Sequence, residues 1–556
     1  MKADVDMSIS KLRSGLRTIG ILAAAMAACP AGAQPASSQQ KRAAEAAVDR
    51  YADRMGRLGD AIYSYAEIGF QETKTVALVT KELRANGFTV ETGVAGMPTA
   101  YVARYGKGGP VIGLMADFDG VPGTSQDTTS VVERPIVAGA PGHGEGHNTH
   151  QPTIIAAALA AKVAMERFHL PGTLVLFGGP AEEIGASRGY MVNAGLFKGL
   201  DAMIDVHVDT VFGTAYGLAN FSRVSVQWKY KGVSGHGAQP WTGRSALDGV
   251  ELLDLGVNYM REHGYNPDDA RVHNVVTQAG LQPNIIPEAA TDWYYIRAKS
   301  PRLVSEILDW VRDIAKGAAA STRTTVSEQI IAGTWPYYGN KALAKVLDAN
   351  IQRVGMPQWS TDDIAFARNL QTALKVDVVG LANKTIPLAQ SKQEAGTTDA
   401  GDVSWQVPMV RMRFPARPPG ATTLHHWAAA VGVATPLAHK GMTVGAKALT
   451  DTVIDLLTDP ALLKGIRRDF AAQLAGFPKW SSLLPSDAKV PLSINATQMA
   501  RYRGALAHFE YNPDSRQTYL QFMKSSYLPQ AGVDWRPSST ESAEVSPSSL
   551  NWQWDQ

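Results

Sequence analysis

Ten residues, Pro141-Gly-His-Gly-Glu-Gly-His-Asn-Thr-His150, hold three histidines and a glutamate spaced by glycines. Imidazole nitrogen and carboxylate oxygen are donor types for zinc and manganese. Glu145 and His147 are two residues apart, so a turn or extended segment can aim both at one point. Glycines 142, 144 and 146 let the backbone fold tightly and approach a ligand. A metal-free surface loop rich in His and Gly is the competing interpretation of this stretch alone. Other chemistry-bearing residues follow apolar runs: Asp117 and Asp119, then Glu182 and Glu183, then Asp205, His207 and Asp209. Three such sets in succession, all of metal-ligand or acid–base type, are poorly explained as solvated loops.

The segments between them say what must position these residues. The patterning predicts helices over residues 43–65 and 73–86, strands over 102–105 and 110–118, a helix over 153–168, and strands over 172–177 and 200–208. This alternation argues for an α/β sheet, and such sheets bind ligands beyond their strand ends. From Phe221 the pattern changes. Strands at 222–230, 272–278, 289–298 and 324–331 interleave with helices at 245–263 and 304–318. That βαββαβ order is ferredoxin-like. The α/β pattern then resumes, with strands expected at 375–379 and 410–414 and a helix over 443–457. The division implied is a catalytic domain in two parts (41–220 and 334–477), an insert (221–333) and an extension (478–556). The extension is rich in Ser, Pro and isolated Trp, and is expected to pack on the catalytic domain.

The chain has 556 residues, 45% hydrophobic and 19% charged, with a net charge of +2. Lys2, Lys11, Arg13 and Arg17 against Asp4 and Asp6 account for that charge, so the remainder is neutral. No nucleic-acid footprint or polybasic membrane patch is expected. Residues 1–33 have the form of a secretory signal: a basic region, a short apolar run over 19–28, and Ala31-Gly-Ala33 as a cleavage site. The single cysteine, Cys29, lies inside it. A lipoprotein acceptor there is the less favoured alternative. The expectation is a soluble, exported protein, secreted or periplasmic, without disulfides or a membrane span.

Seven motifs, in order over about 400 residues, resemble the di-metal aminoacylase and carboxypeptidase-G type amidohydrolases. The likeness is strongest to the branch of indole-acetyl-amino-acid hydrolases and aminobenzoyl-glutamate hydrolases. They are Ala66-Glu-Ile-Gly-Phe70, Ala116-Asp-Phe-Asp119, Gly142-His-Gly-Glu-Gly-His-Asn148, Pro180-Ala-Glu-Glu183, Gly235-His-Gly-Ala238 with Gly243-Arg-Ser-Ala-Leu247, Thr398-Asp-Ala-Gly-Asp402, and His439-Lys-Gly-Met442. The resemblance implies a two-metal α/β catalytic domain interrupted by a ferredoxin-like dimerisation lid, and hence a homodimer. It implies two divalent ions, Zn or Mn, held by Glu145, His147, Glu183, His207 and His439, with Glu182 as general base. His425 and His426 compete with His439, which sits in the better motif. His143 and His150 are assigned to the surroundings of the ions. His236 and Asn284, on the lid, are expected to contact substrate or oxyanion. Arg297 is a candidate for the substrate carboxylate, since Arg can bind one bidentately; a strand-end surface charge is the alternative. The sequence departs from the branch at Glu145, usually a cysteine, and at Met115, where many relatives carry His or Arg.

The function implied is that of an exported, metal-dependent hydrolase of N-acyl or N-aroyl amino acids. A dipeptidase or carboxypeptidase with the same machinery, or a non-catalytic binding relative, are the alternatives.

Overall fold

A computed structural model describes residues 36–421 and 424–526. The segment expected to be a secretory signal and the end of the tail lie outside them. Among the described residues no helix is long and apolar enough to cross a membrane.

The strands are β1 (Thr89–Thr92), β2 (Tyr101–Lys107), β3 (Val111–Ala116), β4 (Gly172–Gly178), β5 (Ala202–Asp209), β6 (Gly213–Leu218), β7 (Ser222–Lys231), β8 (Ala270–Gln278), β9 (Ala289–Ala298), β10 (Thr325–Thr334), β11 (Tyr338–Gly339), β12 (Ala389–Gln390) and β13 (Met409–Pro415). One sheet runs β1-β2-β4-β3-β5-β13-β6-β11, with β12 beside β6. Its centre is parallel: β3 pairs β4 and β5, and β5 pairs β13. The C-terminal ends of four strands therefore emerge together. β3 is buried almost throughout, as a central parallel strand between two helical layers must be.

The helix Ser38–Tyr65 packs on one face, against the helices His150–Phe168 and Pro436–Thr458. Its start is set by Ser37 and Gln40, each side chain bonding the other's backbone amide. Gly56 lies where a Cβ would fall 2.8 Å from His439 Nδ1, and Gly59 where one would meet Met442. These glycines, unfavourable by helix propensity, admit the neighbouring helix.

The second sheet, β10-β7-β9-β8, is antiparallel. The helices Ala246–His263 and Pro301–Thr322 cover one face, in βαββαβ order. Val224, Val226, Trp228 and Tyr230 alternate into that helical side, which leaves Arg223, Ser225, Gln227 and Lys229 on the other. This helix-free face turns toward the ends of the large sheet.

No strand forms at 375–379. The segment is turn and coil, with Lys375 at φ +56°. Val378 and Val379 are 51% and 70% exposed, so their β-propensity has neither a core nor a strand to pair with. β6, β11 and β12 build that edge instead.

The extension wraps the large sheet's domain. Trp480 Nε1 donates to Asp402 Oδ1 at 2.9 Å, and Tyr190 OH donates to the Lys489 carbonyl at 3.1 Å. Arg503 reaches Glu67 at 3.0 Å, and Arg57 donates to Tyr511 OH at 2.9 Å.

Candidate metal centre

β3 delivers Asp117 and Asp119 just past its last residue, and β4 delivers Glu182 and Glu183. β5 carries Asp205 and His207. The turn after β4 is sharp because Ala181 is left-handed, at φ +55°. Glu72 Oε1 holds that turn by accepting from the Ala181 amide at 2.9 Å, and Gly69 makes room, since a Cβ there would lie 2.9 Å from Ala181 Cα. The consequence is divergence: Glu182 and Glu183 point to different partners.

Glu183 joins Glu145, His147, His207 and His425. His207 Nε2 lies 3.5 Å from Glu145 Oε1, while His425 Nε2 lies 3.0 Å from Glu145 Oε2 and 2.9 Å from Glu183 Oε2. His147 Nδ1 lies 3.7 Å from Glu183 Oε1. Two donor sets result, Glu145–His147–His207 and Glu145–Glu183–His425, with the atoms of each within 4.8 Å of one another. Glu145 belongs to both and presents a different oxygen to His207 and to His425.

The residues fit two cations. His147 Nε2, Glu183 Oε1 and Asp117 Oδ2 are buried without a hydrogen-bond partner, a costly state unless an ion satisfies such atoms. His207 Nδ1 donates to the Val208 carbonyl at 2.8 Å, which leaves the Nε2 lone pair free for a metal, as ligand histidines require. Burial pushes the Glu145 carboxyl up, but His207 and His425 outweigh it and hold it well below the ordinary range. A third donor group, Asp117–His147–His150, is only partly engaged, since Asp117 Oδ2, His147 Nε2 and His150 Nδ1 have no hydrogen-bond partner. His150 Nε2 accepts the Val208 amide at 2.8 Å, and Asp117 Oδ1 accepts from Arg188 at 2.9 Å.

Glu182 stands beside the cluster. Its Oε1 accepts from Thr398 Oγ1 at 2.7 Å, and Thr398 Oγ1 accepts from Arg411 at 3.1 Å. Burial, with Asp117 and Asp399 near, pushes Glu182 up to about 7. Buried Arg188 ties Asp117 to Asp399, the latter at 2.6 Å, and so stiffens the floor.

His439 is elsewhere. Its Nε2 lies 2.9 Å from Asp60 Oδ1, and its ring lies against Gly56. It stands on the helix Pro436–Thr458, packed on the N-terminal helix rather than at the strand ends. The expectation of His439 as a ligand is corrected on this geometry: the structure brings His425 to the cluster.

The residues expected on the lid stay apart from the cluster in this chain. His236 is exposed and accepts the Ala238 amide at 2.9 Å; the Asn284 carbonyl accepts the Gly237 amide at 2.9 Å. No hydrogen bond or ion pair joins either to the cluster among the described residues. Arg297 is half-buried and contacts His273 at 3.2 Å and the Ala395 carbonyl at 3.2 Å. Burial, with Arg223 near, lowers it to about 10. Arg223 and Arg271 are its direct cross-strand neighbours, an arrangement that like charges oppose. Arg223 is 3% exposed and lies over the Tyr295 ring at 4.6 Å, while its Nε and Nη2 have no hydrogen-bond partner. Arg223 and Arg271 beside Arg297 escape a reading of the sequence, as do Arg411 and the bond from Thr398 to Glu182, because cross-strand register and long-range contacts are not written in a motif.

A model of peptidase family M20/M25/M40 matches residues 113–431, from β3 to just beyond His425. The chain belongs to that family. The family resemblance drawn from the motifs is thereby confirmed, and with it an enzyme acting on amide C–N bonds. One subunit of the p-aminobenzoyl-glutamate hydrolase of Escherichia coli is 32% identical over 455 residues, covering 77% of this chain and 93% of that protein. The Xaa-Arg dipeptidase of Mus musculus is 28% identical, covering 78% and 93%. In fold, the chain matches the crystal structure of a protein described as an aminohydrolase from methicillin-resistant Staphylococcus aureus. The TM-score is 0.53 at 16% identity, covering 76% of this chain and all of that one.

Proposed function

We propose that the protein is a metal-dependent amidohydrolase that cleaves N-acyl or N-aroyl amino acids of the aminobenzoyl-glutamate kind. The observation that carries this reading is the pair of donor sets sharing Glu145, with Glu182 next to them and bonded to neither. Glu145, His147 and His207 would hold one divalent ion, zinc or manganese, and Glu145, Glu183 and His425 the other. When bound, such ions lower the pKa of a shared water and polarise the substrate carbonyl.

The chain's own groups do the rest. Thr398 occupies Glu182 Oε1, so Oε2 is the atom that accepts the water proton and returns it to the leaving nitrogen. Arg297 takes the carboxylate of the amino-acid half. His236 and Asn284 supply oxyanion contacts; being remote in their own chain, they act across a homodimer formed through the lid. The row Arg223–Arg297–Arg271 favours an anionic amino-acid half and disfavours a cationic one, such as the arginine named for the mouse relative. Residues 1–33 direct export to the periplasm or medium, which N-terminal sequencing of the mature protein tests.

The test of the activity is hydrolysis of p-aminobenzoyl-glutamate and of dipeptides by protein of known metal content. Chelation is expected to abolish cleavage, and Zn or Mn to restore it. Full activity in metal-free protein would overturn the reading.

A further inference from the structure

A cavity of about 340 Å³ opens from Glu183, at the lower end of the range of small-molecule sites, about 300–1,000 Å³. Three parts of the chain enclose it: the catalytic loops at Glu183 and Ile184, the helix-free lid face at His273, Trp293 and Tyr295, and the extension at Asn495 and Gln498. We infer that Asn495 and Gln498 are specificity-determining residues for the acyl half of the substrate, and that this cavity takes a planar aromatic acyl group carrying a hydrogen-bond donor. The inference rests on the amidohydrolase reading above and adds the residues that choose the acyl group.

The walls are aromatic. The Trp293 and Tyr295 rings meet edge to face at 6.0 Å. Trp293 Nε1 is spent on Ser225 Oγ at 2.8 Å, so the indole offers the cavity carbon. His273 adds a third ring, 5.5 Å from Tyr295. Burial and the neighbouring Arg297 and Arg223 lower His273 to about 4, which makes it neutral at pH 7. Apart from Glu183, then, the lining carries no charge. The arginine row lies further along the same lid face, toward Glu182. The two halves of an acyl amino acid thus meet two different surfaces, the neutral aromatic cavity for the acyl group and the cations for the carboxylates.

The extension supplies the polar reading heads. Asn495 is 8% exposed and donates Nδ2 to the Gly69 carbonyl at 3.1 Å. A carbonyl can only accept, so the amide orientation is fixed and Oδ1 is left as an acceptor. Gln498 is three residues on, on the same side of the helix Ala496–Leu506. Its amide makes no hydrogen bond among the described residues. Upstream, the Leu492 carbonyl accepts from Gln71 at 3.1 Å. Downstream, Arg503 is tied to Glu67. Both ties hold the segment at the cavity mouth.

The experiment compares the p-aminobenzoyl and acetyl derivatives of one amino acid as substrates of the holoenzyme. The variants are Asn495→Ala, Gln498→Ala and Gln498→Met. Gln498→Met keeps the volume and breaks no bond of the free protein. Each variant is expected to raise KM for the aroyl substrate roughly three- to tenfold, the worth of one net hydrogen bond. The kcat, the metal content and the acetyl KM should stay within twofold. An equal rise for both substrates, or none for either, in Gln498→Met would overturn the inference. If the wild type cleaves neither compound, the amidohydrolase reading has failed separately. Calorimetric binding of p-aminobenzamide then decides the cavity: weaker binding in Gln498→Met supports it, and equal binding overturns it.

Discussion

The catalytic sheet and the lid hold their functional side chains in opposite ways. Around Glu145 nearly every group is fixed by a neighbour. Glu182 is tied to Thr398, His207 to its own strand, Asp117 and Asp399 to Arg188. On the lid, His236 is exposed, Arg297 touches a neutral imidazole and a carbonyl, and buried Arg223 keeps two nitrogens unpaired. One side is preorganised for chemistry before any ligand arrives, the usual source of catalytic advantage. The other, in the proposed account, is completed by substrate or by a second chain. Arg223 lies over the Tyr295 ring at 4.6 Å but keeps Nε and Nη2 without a hydrogen bond, a cost of burial that an anionic substrate group would offset in the proposed reaction.

The contrast can be broken at its strongest point first. Glu182→Gln is expected to keep its metal yet lose roughly 10²–10⁴ in kcat, the usual worth of general acid–base catalysis. Loss of metal with the rate per bound ion intact would mean that base and ligand have been exchanged. The floor comes next. Arg188→Met leaves two buried carboxylates uncompensated and is expected to cost about 3–5 kcal/mol of stability by denaturant titration. A cost near zero would show that the sheet side is not rigidly held. On the lid, Arg297→Ala should raise KM roughly 10- to 100-fold, the worth of a charged hydrogen bond, with metal and fold unchanged. A drop in melting temperature with KM unmoved would make Arg297 a structural residue.

The smallest effect sharpens the claim that a second chain completes the lid. Inactive His236→Ala and Glu182→Gln subunits are dissociated, mixed and reassociated. If His236 acts across a two-fold dimer, half the dimers are mixed and each holds one intact site, so about a quarter of wild-type activity returns. Subunits that demonstrably exchange yet stay inactive would place His236 in its own chain's site or outside any.

The same contrast explains what can be read from the sequence. Residues at the ends of buried parallel strands announce themselves, because an apolar run followed by carboxylates has few other uses. Glu145, His147, Glu183 and His207 are legible that way and by motif. The order βαββαβ is legible because each lid strand alternates. The false strand at 375–379 arises from three valines, Val376, Val378 and Val379, whose surroundings the sequence does not state. The motif favours His439 over His425, but the His439 ring fills the gap left by Gly56, a helix–helix contact invisible in one dimension. His425 lies in a loop without periodicity, held at φ +58° with its amide on the Gly144 carbonyl at 3.2 Å. The arginine row and the extension's place at the cavity depend on strand register and long-range docking, which no local pattern encodes.

The central claim is that Glu145 is shared by two ions and that His425, not His439, completes the second set. Elemental analysis of purified wild type, His425→Ala and His439→Ala at equal free metal tests it directly. The expected contents are two ions per chain, about one, and two, with Glu145→Ala falling below one because it removes a donor from both sets. An ion lost in His439→Ala but kept in His425→Ala, or full occupancy in Glu145→Ala, would contradict the account.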